Sequence, residues 1–287
     1  MAQRIDEGIS TKDGVIRGPL RESVNQAREM AGSIHNDAVA SKLGFRGGTV
    51  AGSIHMELFP PVLLEAFGEG WFERGSLSIN FKNPTTNREP VRALVDAPSG
   101  PSGQVRAWIE REDGLLVGEG TASAGDVTEK TALQSIDPNR FPAQAPRILG
   151  GVEVGPIPEK TVEMSRQAQD ARRDVITEWL DAYDDGPVAS PTTVVHYLYG
   201  YPARFIGRGT EGEAVGLFGA IEIRHVNGPL ILDRSYTVGG EILGIGESPK
   251  TEYVWFESHA SDADGKRIAE MRMQLRWMKA SSPLYAE

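Results

Sequence analysis

The stretch Ser33–Phe59 reads SIHNDAVASKLGFRGGTVAGSIHMELF and combines a polar turn, a short helical run, a glycine pair and the start of a long apolar run. The pentapeptide AGSIH occurs twice around it, at Ala31–His35 and at Ala51–His55, and so contains two of the five histidines of the chain. This pattern has four possible explanations: a tandem repeat, a metal site, a catalytic pair, or a coincidence of two similar turns.

The composition is that of a soluble globular protein. The chain has 287 residues, of which 39% are hydrophobic and 24% are charged, so it can build a core. No apolar run approaches the ~20 residues that span a bilayer. The N-terminal sequence MAQRIDEGISTKDG lacks the order of a secretory signal, and we expect a cytoplasmic protein. The absence of cysteine excludes disulfides, thiolate metal sites and a cysteine nucleophile.

The charge balance bears on the kind of partner. A net charge of −10 with scattered Lys and Arg argues against nucleic acid, because a surface that follows phosphates needs clustered basic residues. We expect no nucleic-acid partner and no membrane partner. The acidic balance still permits a local basic patch for a phosphorylated ligand.

The chain divides into two halves that resemble each other. The segment 126–158 is rich in proline and polar residues without periodicity, which predicts a linker between an N-terminal domain (1–125) and a C-terminal domain (159–287). Each domain ends in two strand-like runs joined at an Asp-Gly turn, Asp113-Gly114 and Asp264-Gly265.

The middle parts of the two halves also correspond. His55 lies six residues before Pro61, and His196 lies six residues before Pro202, each in an apolar run. A repeat of this length indicates two copies of one domain. Because proline interrupts a helix, we expect a kink or a restart at each of these prolines. The polar stretch 21–30 is also predicted to be helical.

The stretch quoted above, residues 33–59, resembles the hydratase motif of MaoC-like dehydratases and (R)-specific enoyl-CoA hydratases, and the resemblance covers about residues 27–95. That motif reads Asp-x-Asn-Pro-x-His-x-Asp, then a short helix ending in Gly-Phe, a glycine-rich turn, and a His-Gly pair that opens the central helix. The matching segments of this chain are Ile34-His35-Asn36-Asp37, Leu43-Gly44-Phe45, Gly47-Gly48 and Ala51-Gly52. The run INFKNPTTNREPV is similar to a later strand motif of the family.

The resemblance implies an α+β double hotdog fold, in which each copy wraps an antiparallel sheet around a long helix. It also implies a pseudo-dimer within one chain and leaves a homodimer of such chains open. One departure is important: the position of the family's catalytic aspartate is Met30 in this chain. Glu29 is its neighbour, but on a helix it would point ~100° away.

His35 and Gly52 are the main catalytic candidates that the resemblance implies. His35 would exchange a proton during addition or loss of water, a task suited to imidazole near neutral pH; alternatively, it is a turn histidine bonded to the backbone. The N–H of Gly52 would bind the thioester oxygen at a helix N-terminus; a need for tight packing at the helix start explains this glycine equally well. Asp37 precedes AVASKL and is predicted to cap that helix.

His55 is the third catalytic candidate. It lies in the first turn of the central helix, where it would face the cavity of His35 as an accessory group or pack between the two copies. Glu57 is a candidate acid and substrate contact, although two residues along a helix it faces away from His55.

The remaining substrate-binding candidates are Ser33 and Ser53, which follow the glycines of the two pentapeptides, and His196 and Tyr197 in the second copy. A serine hydrolase is disfavoured because neither serine lies in a Gly-x-Ser-x-Gly elbow. No His-x3-His spacing supports a metal site, and we predict neither a metal nor another cofactor.

Three hypotheses follow for the function. The first is a hydro-lyase that adds or eliminates water at an α,β-unsaturated or β-hydroxy acyl thioester, such as a CoA ester, or at a related small carbonyl compound. The second is thioester hydrolysis on the same fold. The third is a non-catalytic ligand-binding or partner subunit that has lost the catalytic aspartate.

Overall fold

The computed structural model describes residues 8–184 and 186–286. The strands of the described chain are β1 (Ser10–Lys12), β2 (Val15–Arg17), β3 (Arg21–Glu22), β4 (Gly75–Phe81), β5 (Pro90–Asp96), β6 (Gly103–Arg111), β7 (Leu116–Ala124), β8 (Gly155–Met164), β9 (Gly216–His225), β10 (Arg234–Glu247), β11 (Thr251–Ser261) and β12 (Arg267–Met278). The α-helices are α1 (Asp37–Lys42), α2 (Gly52–His55), α3 (Phe59–Phe67), α4 (Gly70–Arg74), α5 (Arg166–Asp170), α6 (Pro191–Gly200) and α7 (Pro202–Arg208).

One antiparallel sheet runs through both halves of the chain. Its order is β1-β2-β5-β6-β7-β4-β9-β12-β11-β10-β8, with β3 beside β5. The two halves meet where β4 pairs with β9, in a register that places Leu77 opposite Ile223. The predicted hairpins β6–β7 and β11–β12 are confirmed, and each turns at its Asp-Gly pair. The continuous sheet makes the two copies a pseudo-dimer.

The long helix of the first half is made of consecutive short segments. A 3-10 turn, Met56–Leu58, separates α2 from α3, and Pro60 and Pro61 lie in the first turn of α3, where their missing N–H groups cost nothing. In the second half, α6 ends and α7 begins at Pro202. The predicted restarts at the prolines are therefore confirmed.

The helices cover one face of the sheet and close the core. Helix α3 packs on β2 and β5, whereas α6 packs on β9, β11 and β12, and α2 contacts α6 between them. A single cluster of buried apolar side chains extends through both halves. The helix predicted for residues 21–30 is wrong: the segment starts with the short strand β3, which pairs with β5, and continues in turns.

The segment after β7 crosses the outer face of the sheet at the seam between the halves. The backbone N–H of Leu133 donates to the hydroxyl of Ser78 at 3.0 Å, and the Leu133 side chain is buried against β9 and β11. Strand β8 begins at Gly155, so it overlaps the last four residues of the predicted linker, 126–158.

No helix among residues 8–184 and 186–286 is long and apolar enough to cross a membrane.

Candidate active site

A cavity of about 760 Å³ lies between the two halves of the chain. The first half lines it with the loop before α1, the start of α2 and the end of β4. The second half contributes Tyr199 of α6, the start of β9 and the end of β12. Both halves are therefore needed to form its wall.

His35 lines this cavity in a defined orientation. Its Nδ1 lies 2.6 Å from the backbone carbonyl oxygen of Thr49. A carbonyl only accepts hydrogen bonds, so Nδ1 carries the proton and donates it. In the neutral ring Nε2 then has a free lone pair, which is the state required of a base.

The surrounding turn fixes the backbone of His35. Asn36 caps α1 by accepting from the N–H groups of Ala38 and Val39, whereas Asp37 accepts from the N–H of Gly48 at 2.7 Å. The prediction that Asp37 caps α1 is therefore wrong by one residue. A Cβ at Gly48 would lie 2.1 Å from the carbonyl oxygen of His35, so only glycine permits this close approach.

Gly52 begins α2 at the wall of the same cavity. Its N–H is one of the helix's first N–H groups, which have no acceptor within the helix. A Cβ at Gly52 would lie 2.4 Å from the ring of Phe81, which also lines the cavity. The glycine therefore serves tight packing at the helix start, and its position on the cavity wall is compatible with binding a substrate oxygen.

His55 lines the same cavity but is almost completely buried. Its Nε2 lies 2.7 Å from the hydroxyl of Thr85, and its Nδ1 lies 3.5 Å from the hydroxyl of Ser23. Burial lowers the pKa of His55 to about 4, although the charge of Glu89 opposes the shift. The ring is thus neutral at pH 7 and suited to hydrogen bonding. The structure brings His35 and His55 to one cavity. His35 is half-buried and bonded to a backbone carbonyl, whereas His55 is buried between two hydroxyl groups.

Glu57 does not line the cavity. Its side chain points to the second half and accepts from the backbone N–H of Thr192, in the first turn of α6, at 2.6 Å. Burial raises the pKa of Glu57 to about 7, against the hydrogen bonds with Thr192 and Ser190. Its second carboxylate oxygen and the hydroxyl of Tyr183 are both buried without a hydrogen-bond partner among the described residues. The prediction that Glu57 binds substrate is not supported by this position.

The remaining candidates divide between two places. Ser33 lines the main cavity, and its hydroxyl accepts from the N–H of His35 at 3.3 Å. Ser53 and His196 instead line a smaller cavity of about 170 Å³ that also reaches His35. Tyr197 lines neither cavity: its hydroxyl accepts from the N–H of Ser165 at 2.8 Å, and this position does not support its prediction as a substrate contact.

Several residues at the cavities were missed by the sequence analysis. Tyr199, two residues after Tyr197, lines both cavities, and burial raises the pKa of its phenol, which stays protonated. Lys82 and Arg276 line the main cavity and Arg172 lines the smaller one. The spacing of two tyrosines on an apolar helix could have suggested Tyr199, but no motif marks the three cations.

Acidic groups are absent from the described lining of both cavities: none of these residues is Asp or Glu. Met30, at the position of the family's aspartate, lines the main cavity and is 58% exposed. Among residues 8–184 and 186–286, no group of three or more His, Asp or Glu side chains could hold a metal ion.

The fold is similar to solved structures. A protein from Chloroflexus aurantiacus J-10-fl assigned as a MaoC domain dehydratase aligns at a TM-score of 0.58 and 10% identity, over 92% of this chain and 94% of its own. The dehydratase domain of PpsC from Mycobacterium tuberculosis, in complex with C12:1-CoA, aligns at a TM-score of 0.53 and 10% identity, over 94% and 97%. A further Mycobacterium tuberculosis protein with a double hotdog fold aligns at 0.55 and 9% identity, over 91% and 96%.

No protein-family model matches the sequence, and no curated protein matches it in sequence. The likeness therefore lies in the three-dimensional arrangement, which extends over both halves of the chain. The predicted fold class is confirmed: the chain has the double hotdog fold, which it shares with MaoC-like dehydratases.

Proposed function

We propose that the chain is a hydro-lyase that adds water to, or removes it from, a small acyl compound, with His35 as the acid and base. The observation that carries this proposal is the 2.6 Å hydrogen bond from Nδ1 of His35 to the Thr49 carbonyl, which leaves the lone pair of Nε2 for a proton in a histidine that lines a large cavity. A positioned imidazole of this kind contributes about 10²- to 10⁴-fold to a proton-transfer reaction.

One base can perform both proton transfers. In hydration, Nε2 takes a proton from water while the water oxygen forms a bond to the β-carbon and the C=C electron pair moves toward the carbonyl oxygen. The resulting enolate oxygen is bound by the N–H of Gly52. Nε2 then returns its proton to the α-carbon, which restores the carbonyl and the neutral imidazole. Dehydration runs the same steps backwards.

The use of one base has a stereochemical consequence. Oxygen and hydrogen both arrive from the face of the substrate that His35 contacts, so the addition is syn. His55 is proposed to hold the wall of the cavity as a neutral group through Thr85, since its lowered pKa disqualifies it as a proton carrier at pH 7.

The acyl group is proposed to be carried as a thioester. The dehydratase domain of PpsC was solved with C12:1-CoA, and the main cavity of this chain has Lys82 and Arg276 but no carboxylate in its described wall. Such a wall is compatible with an anionic carrier. We propose that residues 1–125 supply the acid/base and the oxyanion donor, and that residues 159–287 shape the pocket.

Hydrolysis of the thioester is disfavoured by the same wall. A hydrolase of this kind needs a carboxylate beside the bound water, and none of the described lining residues supplies one. The third hypothesis, a binding subunit without catalysis, is favoured by one observation: Met30 stands where the family has its catalytic aspartate.

The test is the reaction with crotonyl-CoA. Hydration abolishes the absorbance of the conjugated enoyl thioester without releasing thiol, whereas hydrolysis releases thiol. In His35→Asn, the new amide can still donate to the Thr49 carbonyl, but the base is lost; we expect the rate to fall by about 100-fold or more.

The matched control for this variant is His259→Asn. This histidine lies on β11, away from both cavities, beside Glu159. We expect its replacement to leave the rate unchanged. Thiol release by the parent protein would support hydrolysis, and absence of both reactions with retained binding of crotonyl-CoA would support a binding subunit.

A further inference from the structure

The smaller cavity lies next to the main cavity, and His35 lines both. It has a volume of about 170 Å³ and shares five lining residues with the main cavity: Ala27, His35, Ala51, Tyr199 and Phe218. At ~30 Å³ for each water-sized group, it has room for about five such groups. A substrate whose reacting carbons lie at His35 would therefore extend one end into the main cavity and a short end into the smaller one.

Arg172 is the charged group of the smaller cavity. It is half-buried, and its Nη1 donates to the backbone carbonyl of Ala168 at 2.5 Å. It forms no ion pair with any residue of the described ranges 8–184 and 186–286. Burial lowers the pKa of Arg172, as expected for a cation withdrawn from water without an anion beside it, but a guanidinium stays charged at neutral pH.

The neighbours of Arg172 are neutral. Partial desolvation and the positive charge of Arg172 both lower the pKa of His196 to about 4. This imidazole is therefore neutral at pH 7, and Arg172 is the cation that would attract an anion in this cavity. Tyr199 remains a protonated phenol, because burial raises its pKa. No Asp or Glu occurs among the described lining residues, so no side chain of the wall would repel a negative ligand.

Asn25 also lines the smaller cavity and helps to hold His35. The residue is 2% exposed, and its Oδ1 is buried without a hydrogen-bond partner among the described residues. Its Nδ2 donates to the carbonyl oxygen of His35 at 2.8 Å, which fixes the orientation of the amide. A buried acceptor of this kind is costly unless a donor, such as a ligand hydroxyl or a bridging water, satisfies it.

We propose that the smaller cavity binds a carboxylate at the short end of the substrate, with Arg172 as its partner. The compound on which the proposed reaction acts is then a thioester of a small dicarboxylic acid, with an unsaturated bond that becomes hydroxylated beside the free carboxylate. This inference rests on the proposed function for its chemistry but not for the binding of the carboxylate.

The first experiment compares two substrates that differ only at this end. Crotonyl-CoA ends in a methyl group, and the fumaryl monothioester of CoA has a carboxylate in its place. We expect kcat/KM to be higher for the fumaryl compound, and Arg172→Met to lower that value by about 10- to 100-fold, as expected for a charge-assisted hydrogen-bond pair. The value for crotonyl-CoA should change little.

Two further variants separate charge from folding. Arg172→Lys keeps the charge and should recover part of the activity with the fumaryl compound. Arg173→Met removes the neighbouring cation, which is exposed and packs over Trp179, and should leave both substrates unaffected. Equal losses with both substrates in Arg172→Met would overturn the inference, because they would indicate a structural role only.

A binding measurement tests the inference without catalysis. Calorimetric titration compares monomethyl fumarate, which has an ester and a carboxylate, with methyl crotonate, which lacks the carboxylate. We expect tighter binding of monomethyl fumarate, lost in Arg172→Met and kept in Arg173→Met. Failure of monomethyl fumarate to bind more tightly overturns the inference even if crotonyl-CoA is hydrated. Absence of hydration with both thioesters overturns the proposed function even if this binding is observed.

Discussion

Replacement of Glu57 by glutamine should make the protein more stable at alkaline pH. The carboxylate of Glu57 is 1% exposed and accepts from the N–H of Thr192, and its second oxygen has no partner among the described residues. In Glu57→Gln, the amide oxygen can accept from Thr192. The new NH₂ takes the place of the carboxylate oxygen that has no partner, and it carries no charge to be desolvated.

The size of the effect follows from the pKa of Glu57. Burial raises it from 4.5 to about 7, so between these pH values the folded protein holds a proton that the unfolded chain releases. The unfolding free energy therefore falls as the pH rises through this window, by about 3 kcal/mol in total at ~1.4 kcal/mol per pKa unit. Glutamine has no such dependence.

The assay is urea-induced unfolding at pH 4.5 and at pH 8. Relative to the parent protein, Glu57→Gln should gain about 3 kcal/mol more at the higher pH than at the lower one. Glu65→Gln, on the exposed face of α3, is the matched control and should show no pH-dependent gain. A difference between Glu57→Gln and the parent that is the same at both pH values would refute the reasoning.

Three other predictions concern the walls of the main cavity. Gly52→Ala places a methyl group 2.4 Å from the ring of Phe81, so it should lower the unfolding free energy by about 1–3 kcal/mol and displace the ring into the cavity. Urea unfolding measures the first effect, and a lower kcat/KM reports the second. Recovery of stability when Phe81→Ala is added would confirm the clash. Burial lowers the pKa of His55 from 6.5 to about 4, so its contribution to stability is present above pH 6.5 and lost as the pH falls toward 4. NMR titration of its ring should show no protonation above about pH 5. Protonation near pH 6.5 would contradict the burial argument. Asp37→Ala removes the acceptor of the Gly48 N–H and should cost about 1 kcal/mol and lower kcat more than it raises KM, whereas an unchanged kcat would show that this bond does not position His35.

The sequence predicted the fold through features that local physics controls. The Asp-Gly turns and the helix-breaking prolines act within a few residues of themselves, so the hairpins β6–β7 and β11–β12 and the restart at Pro202 follow from them. The double hotdog arrangement followed from the resemblance of residues 33–59 to a known motif and from the repeat.

The site was predicted less completely because long-range contacts complete it. The acceptor that orients His35 is a backbone carbonyl, at Thr49, and a backbone group leaves no signal in the residue type. Which of Tyr197 and Tyr199 lines the cavity depends on how α6 is rotated against β9, and the residue types do not specify that rotation. Arg172 lies in a segment without periodicity and reaches the cavity only through the packing of the two halves.

The stereochemistry of hydration in D₂O tests the central claim about His35 most directly. The product of crotonyl-CoA hydration would carry deuterium on the α-carbon, and the proton–proton coupling across the α- and β-carbons distinguishes syn from anti addition. The account predicts syn addition by the parent protein and a rate that is lower by about 100-fold or more with His35→Asn. Anti addition, or an undiminished rate in His35→Asn, would contradict a mechanism with His35 as the single acid and base.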